Sequence, residues 1–247
     1  MSSDHATEDR LLAGEIVIFQ PKKGFRVGTD SLLLASSLPD RAQARYLDVG
    51  AGCGGALLPA AWRLSHIHFD GVELEPEMVD LARRGVTANH FSDRITVEPG
   101  EVSNWVKTRE NTYDCAFSNP PYFEPNKIKQ PGLGRAHAYI ETIDLETWLK
   151  AMIFAVKPRA PIVLIHRSAE LARLLSGLDR WVGEIVVLPI APFPGAEANR
   201  VLIRGRKGLR RGRVRLLAPL FVRDAEGADA FSDAMQAVKR GQKINWD

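Results

Sequence analysis

The chain has 247 residues, of which 45% are hydrophobic and 26% are charged, and its formal net charge at pH 7 is +3. This composition is that of an ordinary soluble globular protein, and no apolar run approaches the roughly 18 residues that a membrane-spanning helix needs. The polar N-terminus argues against a secretory signal, and two cysteines, Cys53 and Cys115, are too few for a disulfide framework. We therefore expect a cytoplasmic protein with no membrane segment. We also expect no metal site, because neither cysteine has a second Cys or a His at zinc-like spacing.

The N-terminal part is predicted to lead into the main domain. Residues 1–13 are expected to be disordered, and residues 14–43 to form a short lead-in. The stretch GEIVIFQPKKGFRV predicts two short strands around a Pro-Lys-Lys-Gly turn. The next stretch, GTDSLLLASSL, predicts a helix, because Thr29 or Asp30 can cap its N-terminus and the leucines can bury one face.

Strands and helices alternate through residues 44–205, which we expect to form the core of a single domain. The predicted strands are ARYLDVG, IHFDGVEL, RITVEPGEV, YDCAFSN and APIVLIH, and the predicted helices are GGALLPAAWRL, PEMVDLARRGVTANH, DLETWLKAMIFAV and SAELARLLSGL. This alternation predicts βαβ units and an α/β, doubly wound, Rossmann-like fold around a mostly parallel, seven-stranded sheet. Two late strands without an intervening helix, WVGEIVVLPIAPF and ANRVLIRGRKG, predict an antiparallel strand at one edge, and VRLLAPLFV is a further candidate strand.

A glycine-rich turn follows the first core strand. In DVGAGCGG, which starts at Asp48, the residues Gly50, Gly52 and Gly54 allow a ligand to approach the backbone closely, because no Cβ stands in the way. In an open α/β sheet the ligand crevice lies at the carboxyl ends of the strands, where this turn is expected. The spacing differs from the dinucleotide fingerprint G-x-G-x-x-G, and so the turn favours a cofactor without phosphates.

Polar groups follow the next three predicted strands. Glu73 ends the second strand about 20 residues beyond the glycine turn, where a carboxylate can accept hydrogen bonds from ribose hydroxyls. Glu101 follows the third strand, and Asn119 begins the stretch Asn-Pro-Pro-Tyr after the fourth. The two prolines fix φ and lack N–H groups, so they predict a rigid ledge from which carbonyl oxygens, one amide and one phenol project.

The motifs DVGAGCGG, VELEP, GEV and NPPY, in this order and spacing, resemble those of class I S-adenosylmethionine-dependent methyltransferases that act on amino or amide nitrogens. The upstream FRVGTDSLLLA is similar to a segment of the bacterial tRNA1(Val) adenine-N6 methyltransferases, which modify the adenine beside the anticodon. The resemblance spans residues 14–204. It implies S-adenosyl-L-methionine as cofactor and an exocyclic amino nitrogen as the target, with adenine N6 in a tRNA favoured.

The resemblance also implies roles for individual residues. The implied cofactor-binding residues are Thr29, Asp30, Asp48, Gly50, Gly52, Gly54, Glu73, Glu101, Val102 and Asn119. Among them, Glu73 would bind the ribose hydroxyls and Glu101 the adenine amino group, although the family usually has Asp at the latter position. The implied catalytic residues are Asn119, Pro120, Pro121 and Tyr122. The Asn119 side-chain oxygen and the Pro120 carbonyl would each accept one N–H of the target amine, and Tyr122 would stack on the base.

Basic residues are concentrated late in the chain, in a C-terminal part at residues 206–247 and just before it. The stretch VLIRGRKGLRRGRVRL, residues 201–216, contains no acidic residue, which favours a polyanionic partner such as RNA. The candidate RNA-contacting residues are Phe123, Lys127, Lys129, Arg135, Arg204, Arg206, Lys207, Arg210, Arg211 and Arg213. Trp148 is expected to pack in the core rather than contact the substrate.

Other functions remain open at this point. Protein-glutamine methyltransferases of release factors also carry NPPY, but the chain lacks room for their N-terminal helical domain. DNA adenine methyltransferases usually carry a target-recognition domain, for which there is no room either. An rRNA adenine or guanine is an alternative substrate. An inactive scaffold that binds cofactor and RNA is a remote alternative, which the intact Asn119 and Tyr122 disfavour.

Overall fold

The computed structural model describes residues 6–23, 26–121, 144–210 and 212–246. Its strands are β1 (Ala6–Leu11), β2 (Ile16–Pro21), β3 (Arg45–Val49), β4 (His68–Glu73), β5 (Ile95–Pro99), β6 (Cys115–Ser118), β7 (Pro161–Arg167), β8 (Val182–Ala191), β9 (Arg200–Lys207), β10 (Arg215–Leu216) and β11 (Leu220–Phe221). Its α-helices are α1 (Thr29–Ser37), α2 (Leu57–Arg63), α3 (Pro76–Ala88), α4 (Val102–Trp105), α5 (Leu145–Ala155), α6 (Leu171–Asp179) and α7 (Asp233–Lys239). No helix of these described ranges is long and apolar enough to cross a membrane.

The main sheet is mixed and mostly parallel, which confirms the predicted α/β class. Within the described residues it has nine strands in the order β10-β8-β9-β7-β6-β3-β4-β5, with β11 also paired to β8. Strands β3 to β7 run parallel to one another, and β10 and β11 run parallel to β8. Strand β9 is antiparallel to both of its neighbours, β7 and β8.

The antiparallel strand β9 therefore lies inside the sheet, whereas the sequence predicted an antiparallel strand at the edge. It is inserted between β7 and β8, and the short strands β10 and β11 extend the sheet beyond the seven longer ones, β3 to β9. The reason is burial: Val201, Leu202 and Ile203 are consecutive and all are at most 2% exposed. Consecutive buried side chains need cover on both faces of the sheet, which is typical of an inner strand.

The N-terminal hairpin is confirmed, but its strands are not those predicted. β1 pairs antiparallel with β2, so the expectation of disorder up to residue 13 is wrong for residues 6–13. Of the predicted partner strand in GFRV, Arg26 and Val27 form no strand, and the other two residues lie outside the described ranges. β1 is polar and half-exposed, and it is held by backbone pairing and by side-chain bonds such as the Arg26–Asp9 ion pair at 2.8 Å. No apolar pattern marks such a strand in the sequence.

Helices cover both faces of the main sheet. One core cluster joins α1, α2, α3 and α7 to one face, and the other joins α4, α5 and α6 to the opposite face. Strand β3 contributes side chains to both clusters: Tyr46 packs in the first cluster, while Leu47 and Val49 pack in the second. Successive side chains of a strand point to opposite faces. The loops at the carboxyl ends of the parallel strands are thereby held on a rigid layer.

Candidate active site

The predicted site motifs meet at one edge of the sheet. Strands β3, β4, β5 and β6 run parallel, so the segments that follow them all emerge at their carboxyl ends. A cavity lies at this edge and is lined by Val27, Ser31, Asp48, Gly50, Ala51, Gly52, Cys53, Gly55, Ala56 and Asn119. The structure thus brings the glycine turn and the start of the Asn-Pro-Pro-Tyr stretch to the same cavity, as the sequence predicted.

Position 50 requires glycine for two reasons, its backbone conformation and a neighbouring side chain. Its φ is +75°, in the left-handed region that favours glycine. A Cβ at this position would lie 2.7 Å from Cζ2 of Trp148, on helix α5. Any larger residue at position 50 would therefore push the turn away from the indole ring that supports it.

Glu73 holds the glycine turn in place. Its Oε2 accepts a hydrogen bond from the backbone N–H of Gly52 at 2.8 Å, and its Oε1 accepts one from the N–H of Glu75 at 2.9 Å. Burial raises the pKa of Glu73, and these backbone hydrogen bonds oppose that rise. Sequence reasoning assigned this carboxylate to a ligand but did not foresee that it also shapes the turn.

Asp48 is a buried carboxyl group at the cavity. It is 2% exposed, and its Oδ2 has no hydrogen-bond partner among the described residues. Burial raises the pKa of Asp48 well above its usual range, and the charge of Glu73 raises it further. A buried acceptor without a donor is costly, and a ligand that brings a donor to this oxygen would relieve that cost.

The ledge is anchored to the strand beside it. The hydroxyl of Ser118, at the end of β6, donates to the carbonyl of Val49 at 2.6 Å and accepts from Nε1 of Trp148 at 3.0 Å. Trp148 therefore contacts both the glycine turn and the base of the ledge, a role that the sequence alone did not indicate. Beyond Ser118, Asn119 lines the cavity, Pro120 is buried and Pro121 is exposed. The predictions for Tyr122, Phe123, Lys127, Lys129 and Arg135 lie outside the described residues.

Glu101 and Val102 are placed differently from the cavity-lining residues. Oε1 of Glu101 accepts from the N–H of Ser103 at 2.8 Å, and Oε2 accepts from the N–H of Asn104 at 3.0 Å, so the carboxylate caps helix α4. Val102 is 2% exposed and packs in the core. Neither residue lines the cavity. Their contact with a cofactor stays a prediction.

The segment before α1 and the first turn of α1 also line the cavity, but through other residues than those predicted. Asp30 forms an ion pair with Arg200, with 2.8 Å between Oδ2 and Nε, and Thr29 is the first residue of α1. The cavity is lined instead by Val27 and Ser31. A Cβ at Gly55 would lie 2.5 Å from Cγ2 of Val27, so the segment packs directly on the glycine turn.

Most of the basic stretch runs away from the cavity. In the antiparallel pair, Arg200 lies opposite Arg167 at the carboxyl end of β7, whereas Arg206 lies opposite Pro161 at its start. Seven residue steps of about 3.3 Å separate the ends of β9, or roughly 23 Å. Lys207 and Arg210 therefore lie near the amino ends of the parallel strands, whereas Asn119 lies at their carboxyl ends.

Several of these basic side chains have structural partners. The guanidinium of Arg204 lies 4.8 Å from the ring centroid of Trp246. Arg206 donates to the carbonyl of Arg159 at 2.8 Å, and Lys207 donates to the carbonyl of Val156 at 2.9 Å. Burial lowers the pKa of Lys207. These three cations serve the fold, while Arg210 and Arg213 are exposed and Arg211 lies outside the described residues.

Comparison with known proteins identifies the family. Residues 23–136 match the methyltransferase small domain family. The chain is 37% identical over 182 residues to a tRNA1(Val) (adenine(37)-N6)-methyltransferase of Yersinia pseudotuberculosis serotype O:3 (strain YPIII), covering 72% of this chain and 71% of that protein. It is 32% identical over 187 residues to the protein of the same name from Dickeya chrysanthemi (strain Ech1591), covering 74% and 73%.

Solved structures agree on the fold. The crystal structure of a predicted O-methyltransferase, protein Atu636 from Agrobacterium tumefaciens, matches with a TM-score of 0.73 and 27% identity over 87% of this chain and 98% of that one. The tRNA (m1A58) methyltransferase TrmI from Aquifex aeolicus matches with a TM-score of 0.56 and 15% identity, over 77% of this chain and 73% of that one, which supports the fold alone. The motifs, the sheet order and these relatives together show that the chain belongs to the tRNA1(Val) (adenine(37)-N6)-methyltransferase family of S-adenosylmethionine-dependent enzymes.

Proposed function

We propose that this protein methylates the exocyclic N6 of adenine 37 in tRNA1(Val), with Asn119, Pro120, Pro121 and Tyr122 as the catalytic group. The observation that carries the proposal is that Asn119 lines the same cavity as Asp48 and the glycine turn. A base held at Asn119 would therefore present its amine to a methyl donor bound in that cavity. The names of the relatives supply the choice of RNA and base.

The residues of the cavity fit S-adenosyl-L-methionine. The unpartnered buried oxygen of Asp48 would accept from a charged amino group, and the glycine turn would lie against the methionine part. Glu73 does not line the cavity itself but bonds the lining residue Gly52, and from there it would accept from the ribose hydroxyls. Val27 and Ser31 would close the other side. When bound, the cofactor supplies a methyl group on a sulfonium, a good leaving group, so no nucleophilic side chain is needed.

The role of Asn119 follows from the chemistry of the target amine. The lone pair of an exocyclic adenine nitrogen is delocalised into the ring, which makes it a poor nucleophile. The Asn119 side-chain oxygen and the Pro120 carbonyl can each accept one N–H, and this favours a pyramidal nitrogen whose lone pair points at the methyl group. Both hydrogen bonds strengthen as positive charge develops on the nitrogen, so they stabilise the transition state more than the ground state.

The adenine must leave its stack to reach Asn119, and a loop base costs least to extrude. Stacking on Tyr122, as the motif implies, would offset part of that cost by about 1–3 kcal/mol. We place the reaction in the cytoplasm. Cys53 and Cys115 are both buried free thiols, as is usual for proteins of a reducing compartment.

The test is to offer labelled S-adenosylmethionine and the protein to tRNA, rRNA, DNA and protein fractions purified from a strain that lacks the gene. Nucleoside mass spectrometry should find N6-methyladenosine in tRNA1(Val) at position 37. Label in a protein glutamine or in rRNA would replace this proposal by one of the other substrates. Cofactor binding without label in any fraction would indicate an inactive scaffold.

A further inference from the structure

The exposed large apolar side chains of the described residues all flank β8, at one side of the main sheet. They are Trp181, Val214 and Leu216, which are 48%, 47% and 70% exposed. Large apolar groups that remain exposed along one side of a sheet can mark an interaction site.

These side chains come from two segments that run side by side. Trp181 immediately precedes β8, and its carbonyl accepts a hydrogen bond from the N–H of Gly208 at 2.7 Å. Further along, Arg215 and Leu216 of β10 lie opposite Val186 and Val187 of β8. Because β10 ends the sheet order, its outer side faces solvent. We define the edge strip as Arg180, Trp181, Arg210, Arg213, Val214, Arg215 and Leu216.

The edge strip is strongly cationic. All of its arginines are exposed, and the guanidinium of Arg180 lies 5.1 Å from the ring centroid of Trp181. The nearby Glu184 carboxylate pairs at 3.3 Å with Arg206, which lies outside the strip. Arginines and apolar groups alternate in the order Arg213, Val214, Arg215, Leu216.

We propose that the edge strip binds RNA, as a second contact for the tRNA whose adenine reaches Asn119; this inference rests on the proposed function. Phosphates would pair with the arginines, and an unstacked base would lie on Trp181, the combination that sequence-tolerant RNA surfaces use. A second copy of the chain fits less well, because pairing through β10 would bring Arg213 and Arg215 close to their own counterparts.

The distance between the edge strip and the cavity decides which RNA molecules can contact both. Trp181 and Arg210 lie beside the end of β9 that is remote from the cavity, roughly 23 Å along the strands from the cavity edge, whereas Leu216, opposite Val187, lies nearer to it. A short hairpin that carries only the target loop could occupy the cavity without reaching Trp181 and Arg210. A whole tRNA is large enough to touch both places. The strip should therefore matter for the intact tRNA and not for the short hairpin.

The experiment compares two triple variants of the full chain. The test variant is Arg210→Gln, Arg213→Gln and Arg215→Gln; the matched control is Arg41→Gln, Arg84→Gln and Lys107→Gln, which removes three exposed charges from the half of the molecule built on β3 to β5. Binding of a tRNA1(Val) transcript is measured by fluorescence anisotropy across a range of salt concentrations. The slope of log affinity against log salt should fall by about two units in the test variant, and by much less in the control.

Two further measurements decide whether tRNA or a second copy of the chain binds the edge strip. Trp181→Ala should weaken tRNA binding by about five- to a hundred-fold, whereas affinities for the short hairpin and for S-adenosylmethionine should not change. Equal slopes in both triple variants would overturn the proposal. So would a wild-type dimer in sedimentation that Leu216→Asp dissociates, because the strip would then join two copies. If the strip binds tRNA but no RNA is methylated, the proposed function is wrong, whereas RNA binding by the strip is supported.

Discussion

The side-chain oxygen of Gln20, in β2, accepts a hydrogen bond from the backbone N–H of Val27 at 2.7 Å. Gln20 is 3% exposed, and its amide nitrogen donates to Oδ2 of Asp9 in β1 at 3.1 Å. Val27 in turn lines the cavity and packs against the position of Gly55. The N-terminal hairpin thus positions Val27, which lines the cavity, through the buried amide of Gln20 and, at the residue before it, through the Arg26–Asp9 ion pair.

We expect Gln20→Leu to raise the dissociation constant for S-adenosylmethionine about tenfold, with kcat at saturating cofactor nearly unchanged. The substitution leaves the Val27 N–H without its acceptor, a loss of about 1–3 kcal/mol, and the segment before α1 loses its alignment. Asn89→Ala is the control. The Asn89 side chain binds the backbone of Val17 at 2.7 Å and 2.9 Å, so its loss loosens the hairpin without touching Val27. Calorimetry should show a larger loss of cofactor affinity in Gln20→Leu than in Asn89→Ala. An equal loss in the two variants would show that Gln20 only stabilises the fold.

Asn119→Ala should lower kcat by on the order of 10²–10³-fold, because it removes an acceptor that strengthens in the transition state. Cofactor affinity should stay within a few-fold of the wild type, since Asn119 is one of several lining residues. Single-turnover methylation of a tRNA1(Val) transcript measures the first quantity and titration calorimetry the second. Parallel losses in both would mean that Asn119 acts mainly by holding the cavity together.

Glu73→Ala should weaken cofactor binding by about 1.5–3 kcal/mol, or roughly ten- to a hundred-fold. It removes the proposed acceptor for the ribose hydroxyls together with the bond that holds the N–H of Gly52. Glu77→Ala removes an exposed carboxylate from the first turn of α3 and should leave the affinity as it was. An unaltered dissociation constant in Glu73→Ala would refute the ribose role.

Asp48→Asn should stabilise the free protein at neutral pH while weakening the cofactor. Burial raises the pKa of Asp48, so the folded state disfavours the charged carboxylate relative to the unfolded chain. Asp48 therefore contributes an increasing destabilisation as pH rises from the ordinary carboxyl pKa, about 4, towards its raised value in the folded state. Asparagine cannot ionise and avoids this cost.

The gain in Tm of Asp48→Asn over the wild type should accordingly be larger at pH 8 than at pH 5. Asp80→Asn, at an exposed position of α3, serves as the control and should show no such trend. Thermal unfolding at both pH values, without cofactor, provides the comparison. A gain of the same size at both would mean that the folded state does not disfavour ionisation of Asp48.

The sequence by itself determined the α/β class and the edge at which the site forms. Strands β3 to β6 can be recognised from their apolar residues, and at the carboxyl end of each stands a glycine, a carboxylate or an amide. Because parallel strands end at the same edge, a local pattern was enough to bring Asp48, Gly50 and Asn119 to one cavity. The same locality explains why α1, α2, α3, α5 and α6 were predicted, because the apolar residues of each helix lie close together in the sequence. The predicted cap of α1 was wrong: its N-cap is Gly28, and no side chain caps it.

Tertiary structure alone decided how that site is supported and where the basic stretch lies. Trp148 reaches both Gly50 and Ser118 from a distant helix, and no local pattern encodes such a contact. The hairpin formed through β1 because backbone pairing and buried side-chain bonds stabilise a polar strand that lacks an apolar signature. The basic residues lie at the far end of the sheet because β9 is inserted antiparallel between β7 and β8, and strand direction is set by packing between distant segments.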